Sequence, residues 1–236
     1  MENYHAMLMK DIRFEEGLNA CMNCGVCTAI CPAAEFYEYD PRKIVDMVQT
    51  GDNAEIEKLL KSDTIWYCGE CMSCKTRCPR GNTPAFIVMS LRTLSQKLGF
   101  FTDSEKGRQQ FAIKRTVGEN IFKYGYCVAT YAVSPEMHLE QGPIWDYIID
   151  HTKEIYERLG GNIGEPGEGP LRKIPEATRV ELKKIFEVTG GTELFNTIEK
   201  YSKEKAEEMG LEFKDEGIDN EYFNEVFKAN NNKHTL

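Results

Sequence analysis

Apolar positions in this chain recur with the 3.6-residue period of amphipathic helices and almost never alternate, so the pattern by itself predicts a mainly α fold. Asp40-Pro41, followed by Ile44, Val45 and Val48 and closed by Gly51, predicts a capped helix with proline at its first position and glycine beyond its end. Asp52, with Glu55 three residues later, caps a second helix carrying Ile56, Leu59 and Leu60. Thr83-Pro84 starts a third, with Ile87, Val88, Leu91, Leu94 and Leu98 on one face and Gly99 as its stop. Residues 5–19 form a weakly patterned lead-in, extended or in short helical pieces. Beyond residue 100 an aromatic segment (Phe111, Phe122, Tyr124, Tyr126, Tyr131) is interrupted near Ser134-Pro135. Ile144, Tyr147, Ile148, Ile155 and Leu159 then mark a helix ending at Gly160-Gly161, and the Gly/Pro-rich stretch 160–170 has the composition of a loop or linker. Thr178-Arg-Val-Glu181 is a capping-box candidate for a helix closed by Gly190-Gly191, and Leu194 to Met209 continues as a charged helix. Tyr222, Phe223, Val226 and Phe227, before the polar tail Asn230 to Lys233, make a short amphipathic element suited either to a core or to docking.

The helical pattern is interrupted by two cysteine runs. Cys21-Met-Asn-Cys24-Gly-Val-Cys27-Thr-Ala-Ile-Cys31-Pro32 recurs as Cys68-Gly-Glu-Cys71-Met-Ser-Cys74-Lys-Thr-Arg-Cys78-Pro79, with every cysteine and the proline offset by 47. Each run is the C-x2-C-x2-C-x3-C-P spacing of bacterial [4Fe–4S] ligation, in which the fourth cysteine serves the other cluster. Two clusters are expected: one on Cys21, Cys24, Cys27 and Cys78, the other on Cys68, Cys71, Cys74 and Cys31. Because the 36 residues between Cys31 and Cys68 have helical rather than alternating periodicity, the expected architecture is an α-helical ferredoxin domain over 1–105, its third helix packed over the second cluster. A helical C-terminal extension covers 106–236, with an internal linker at 160–170. Pro32 and Pro79 redirect the chain after the fourth ligand, and Gly25 and Gly69 are expected to bring backbone amides close to cluster sulfur.

Disulfides account for neither the spacing nor the repeat, and zinc does not call for a third cysteine at the same short interval followed by Cys-Pro. A purely structural cluster pair is the bland alternative; two clusters locked together by shared ligation are a short path for single electrons. Cys127 stands alone among aromatic residues and is expected to be a small buried hydrophobe. His5, His138, His151 and His234 form no pair at ligand spacing, and no nucleotide loop or flavin fingerprint is present. Lys75, Arg77 and Arg80 around the second run are expected to balance cluster charge.

Net charge of −9 is uneven: residues 1–100 hold 11 Lys/Arg against 13 Asp/Glu, so the cysteine half is nearly neutral. Near-neutrality favours a fixed subunit that docks by shape over a carrier steered by charge. A pI of 5.1 argues against nucleic acid, and a mean hydropathy of −0.48 with no long apolar run argues against a membrane span. The N-terminus lacks the basic and apolar regions of a secretory signal, so a cytoplasmic location is expected.

The segment Leu18 to Pro32, with Ile65-Trp66-Tyr67-Cys68 to Gly81 and the helix reaching Leu91-Arg92, resembles the C subunit of heterodisulfide reductase over roughly residues 10–105. Succinate dehydrogenase and glycolate oxidase iron–sulfur subunits share the helical module. The resemblance implies a non-catalytic relay between a flavin-containing A-type subunit and a B-type subunit that carries cysteine-rich CCG motifs, and this chain has neither feature. It departs from the family in its longer second half, which is similar to the C-type subunits of the heterodisulfide-reductase-like complexes of sulfur-oxidising organisms. The enzyme-class alternative, the iron–sulfur subunit of a succinate, fumarate or glycolate oxidoreductase, calls in its succinate or fumarate form for a further [2Fe–2S] cysteine set that is absent here.

Overall fold

A computed structural model describes residues 3–127, 135 and 141–227, so Tyr131, Ser134, His138, His234 and the 230–233 tail lie outside the described residues. The described residues are helix and loop without strand, and the chain divides into two compact units, Met1–Arg108 and Gln109–Leu236. No helix among them is long and apolar enough to cross a membrane.

The first unit begins with two short helices, α1 (Tyr4–Leu8) and α2 (Ile12–Gly17), where the sequence allowed either short helices or extended chain. The first cysteine run follows, carrying α3 (Val26–Ala29) and α4 (Ala33–Phe36). Next come α5 (Pro41–Thr50), whose start and stop are as expected, and α6 (Asn53–Leu60), whose start is. Asp40 accepts from the amides of Arg42 and Lys43, Asp52 from those of Ala54 and Glu55, and left-handed Gly51 closes α5. A 3-10 turn at Thr64–Trp66 leads into the second run, and α7 (Pro84–Leu98) ends at left-handed Gly99. Leu8, Phe14, Ile44, Val45, Val48, Ile56, Leu60, Ile87, Val88 and Leu91 are buried together between these helices, and Cys21, Cys31 and Cys68 pack against that core. The cysteine loops are thereby anchored on a rigid floor. Gly17 lets α2 approach α7 closely, since a Cβ there would stand 3.0 Å from Phe86 Cβ and 3.2 Å from the Thr83 carbonyl.

The helix α8 (Glu105–Ile113) carries the division between the units. In the second unit a π-turn at Lys114–Gly118 leads into α9 (Glu119–Tyr124), followed by α10 (Pro143–Asp150), α11 (Thr152–Arg158), α12 (Glu176–Thr189), α13 (Gly191–Met209) and α14 (Glu221–Phe227). The helix expected over 144–159 is thus two pieces meeting at His151. The 160–170 stretch is a loop pinned by backbone bonds from Asn162 to Pro170 and Gly164 to Leu171. No capping box forms at Thr178: Pro175 is extended (φ −56°, ψ 144°) and the chain coils directly after it, which places Thr178 inside α12. Gly190 closes α12 in the left-handed conformation, whereas Gly191 opens α13 instead of ending its predecessor. The terminal amphipathic element belongs to the core, for Tyr222, Phe223 and Val226 are buried and Tyr222 and Phe223 pack on Phe111.

Cys127 corrects an expectation, because it is exposed. Gly125 takes φ +80° and its amide bonds the Ile121 carbonyl, ending α9 at Tyr124, before Cys127.

Candidate metal centre

Both cysteine runs wrap by the same backbone device. Asn23 (φ 59°) and Gly25 (φ 79°) are left-handed in the first run, and Glu70 (φ 53°) and Met72 (φ 61°), their counterparts at the offset of 47, are left-handed in the second. The turn brings the Asn23 amide to 3.4 Å from Cys21 Sγ and the Glu70 amide to 3.4 Å from Cys68 Sγ. Amide dipoles aimed at a thiolate stabilise its negative charge. The amides that reach sulfur belong to Asn23 and Glu70 rather than to the glycines; Gly25 is left-handed, whereas Gly69 has no positive φ, because the sharp turns of the second run fall two and four residues after its first cysteine. Left-handed backbone at a residue with a side chain costs roughly 1–2 kcal/mol. Met72→Gly is therefore expected to raise the thermal midpoint of the loaded protein by the equivalent of about 1 kcal/mol, read by loss of helical circular dichroism on heating; an unchanged or lower midpoint counts against strain at this turn.

Each loop is also gripped by an arginine that sequence reasoning did not single out as a loop anchor. Arg42 on α5 donates to Asn23 Oδ1 (2.7 Å) and pairs with Asp40 (3.0 Å). Arg92 on α7 pairs with Glu70 (2.6 Å), donates to the Cys68 carbonyl (2.6 Å) and the Ile65 carbonyl (2.7 Å), and lies over the Trp66 ring. Both therefore hold the same left-handed position, Asn23 or Glu70. Gln49 braces Cys21 from both sides, accepting from its amide at 2.5 Å and donating to its carbonyl at 3.3 Å. Buried Asn82 accepts the Asn19 amide, and the Thr83 amide bonds the Gly17 carbonyl at 2.8 Å, tying the segment after the second run to the approach of the first. The signal for these anchors is the offset-47 repeat, which pairs Asn23 with Glu70.

The cysteines converge across the runs. Cys21, Cys24, Cys27 and Cys78 line one cavity, together with Arg42, Val45, Asn82 and Pro84. Cys31, from the first run, lies close enough to Cys74 and Tyr39 to act electrostatically on both, as does Cys68. Cys71 stands apart at the surface, its Sγ 3.3 Å from Ser73 Oγ. Burial pushes the Cys27 and Cys74 thiols above their ordinary range, whereas the Ser73 hydroxyl holds Cys71 below it. A metal that takes the thiolate charge offsets the burial penalty at Cys27 and Cys74. The amide of Ala85, in the first turn of α7, points at Cys74, so the positive end of that helix faces the second run.

Among the described residues no three His, Cys, Asp or Glu side chains close on one ion position. In a cubane each cysteine binds its own iron, so the four sulfurs need not meet at one ion position, and Cys21, Cys24, Cys27 and Cys78 line one cavity together. The donor set is thus suited to a cluster. Lys75 lies over the Phe86 ring, Arg77 is exposed, and Arg80 lines the cavity of Cys78. His5 packs edge-on against Phe14, and His151 stacks on Tyr147.

Comparison with known proteins gives this geometry a family. Residues 17–82, which span both runs, match the 4Fe-4S dicluster domain. The chain is 33% identical over 204 residues to the C subunit of the ferredoxin:CoB-CoM heterodisulfide reductase of Methanosarcina acetivorans, covering 86% of this chain and 73% of that protein. It is 33% identical over 181 residues to the C subunit of the H(2):CoB-CoM heterodisulfide,ferredoxin reductase of Methanothermobacter marburgensis, covering 76% and 78%. An iron-sulfur C subunit of the CoB--CoM heterodisulfide reductase of Methanocaldococcus jannaschii is 26% identical over 171 residues, covering 72% and 73%. A match of 204 residues takes in most of the second unit, so that half is shared with a methanogen relative and is not a departure from the family. By these matches and the paired cysteine loops, the chain belongs to the family of heterodisulfide reductase C subunits.

Proposed function

We propose that this chain is the electron-relay subunit of a heterodisulfide reductase-like complex, binding two [4Fe–4S] clusters. Cys21, Cys24, Cys27 and Cys78 hold one, and Cys68, Cys71, Cys74 and Cys31 the other. The observation that carries the reading is Cys78 lining the same cavity as the three cysteines of the other run. The clusters, when bound, supply one-electron storage. The chain's own residues do the rest: the Asn23 and Glu70 amides and the α7 terminus stabilise negative charge on the thiolates, Arg42 and Arg92 fix the loops, and the apolar core beneath them limits reorganisation as charge changes.

In this reading the cluster-bearing domain is 1–105 and 106–236 is a helical extension. Electrons pass between a flavin-containing A-type subunit and a B-type subunit carrying CCG motifs, in the cytoplasm. Support comes from the names of the relatives, which are subunits of such reductases. Anaerobic purification from the native cell, with identification of bound chains and EPR of the complex, is expected to return both partners with two reducible clusters. Recovery with a succinate, fumarate or glycolate oxidoreductase instead points to the other users of this module, and clusters that dithionite cannot reduce point to a scaffold.

A further inference from the structure

The near-neutrality of the first hundred residues conceals a segregation of charge. From Cys71 to Thr102 the chain has no Asp or Glu, against Lys75, Arg77, Arg80, Arg92 and Lys97, in a protein whose net charge is −9. Arg92 is engaged with Glu70 and two carbonyls. Lys75, Arg77 and Arg80 are exposed on one short loop, and among the described residues no carboxylate pairs with any of them. Two of the three are placed: Lys75 Nζ lies over the Phe86 ring of α7, 5.5 Å from its centroid, and Arg80 lines the cavity of Cys78. Exposed Cys71 and half-buried Cys74 and Cys78 stand in the same loop. The offset-47 repeat supplies the comparison. The counterparts of Lys75, Arg77 and Arg80 are Thr28, Ile30 and Ala33, and Cys21 to Ala34 holds no charged residue at all. Beside the first run, Met22 and Phe36 are exposed instead. A need to balance thiolate charge would fall on both runs alike, since each brings four cysteines, and does not account for three cations on one.

We infer that the second cysteine loop is the docking face for a redox protein with an acidic surface: Lys75, Arg77 and Arg80 draw that surface over the loop, and one electron passes between the partner's redox centre and a cluster held by the loop. The inference rests on the two-cluster reading above. Opposed charges raise the rate of encounter and set the register of the docked pair, most strongly at low ionic strength, whereas an exposed apolar edge has no such reach. The negative charge of the chain lies outside this stretch and repels the same partner, so the favoured approach is over the cysteines.

The test is anaerobic stopped-flow mixing of the full loaded chain with a reduced, acidic two-[4Fe–4S] ferredoxin as probe, which gives up one electron per transfer as a cluster of the chain takes it. For wild type the bimolecular rate is expected to fall about tenfold between roughly 0.05 and 0.5 M salt. Lys75→Gln with Arg77→Gln should lower the low-salt rate about tenfold and flatten the salt dependence, with iron content kept. Reduction by the methyl viologen radical cation, which gains nothing from a basic loop, should not slow. Lys173→Gln with Lys183→Gln, the same change of charge at exposed lysines of the second unit, should leave the ferredoxin rate within about twofold of wild type. A wild-type rate that ignores salt or rises with it, a double variant as fast as wild type, or a slowing shared with the second-unit control overturns the inference. So does a slowing shared with methyl viologen, the result expected of cations that only balance cluster charge. If the double variant loses iron, Arg77→Gln alone should slow the low-salt rate about threefold, and no slowing overturns the inference. Wild type that holds a single cluster sinks the two-cluster reading itself, a separate outcome.

Discussion

Cys78→Ala is expected to cut bound iron from about eight atoms per chain to about four, and to do so by removing the cluster of the first run. Combining it with Cys24→Ala should then cost nothing further, because both cysteines serve one cluster. Combining it with Cys71→Ala should abolish both. The opposite pattern, in which Cys78→Ala with Cys71→Ala still holds about four irons while Cys78→Ala with Cys24→Ala holds none, means that each run ligates its own cluster. The expectation follows from the shared cavity of Cys78 with Cys21, Cys24 and Cys27. Cys31→Ala should mirror it. If the ligands of each cluster come from both runs, 47 residues apart, either change should also loosen the fold between them, with metal binding and folding coupled.

Glu199→Ala is expected to destabilise the second unit by about 3–5 kcal/mol. Arg115 has no exposed side-chain surface and grips Glu199 through two bonds, Nε to Oε1 at 2.7 Å and Nη2 to Oε2 at 2.6 Å. Its other donors reach the carbonyls of Lys214 and Gly217 at 3.0 Å, and its guanidinium lies against the rings of Phe111 and Phe213. Lys114 also pairs with Glu199 at 2.6 Å, and Glu119, 2.9 Å from Lys114 and 3.7 Å from Arg115 Nε, compensates only part of the loss. Removing the carboxylate strands a buried guanidinium, whereas replacing both partners, as Arg115→Met with Glu199→Leu, should recover much of the stability. Urea unfolding of the loaded chain measures both; the iron content should stay unchanged. A single substitution within about 0.5 kcal/mol of wild type contradicts the buried-pair account.

These two networks differ in how far the sequence reveals them. Asp40-Pro41 with Gly51, and Asp52 with Glu55, announce their helices because caps, a fixed proline φ and a left-handed glycine act within a few residues. The cysteine spacing likewise carries its own chemistry. What stays hidden is either masked locally or long in range. The left-handed turn at Met72 has no glycine to mark it, and only its pairing with Gly25 across the repeat exposes it. Gly69 attracts attention as a glycine yet sits one residue from the first cysteine of its run, where no such turn is made. Arg92 reaches back 22 residues to Glu70, and Arg115 reaches Glu199 across 84, distances at which periodicity and propensity are silent. Thr178 carries a sound capping pattern that Pro175 pre-empts by starting the helix earlier. The aromatic neighbours of Cys127 suggest an interior position, but Gly125 ends the helix before it.

The most direct test of the central claim is iron and acid-labile sulfide quantitation of anaerobically prepared full-length protein, with an EPR-monitored titration of the same sample. About eight irons and eight sulfides per chain, with two one-electron couples reducible by dithionite, is the result predicted for a relay built on Cys21, Cys24, Cys27, Cys78 and Cys68, Cys71, Cys74, Cys31. About four irons with a single couple, or clusters that accept no electron from dithionite, contradicts it.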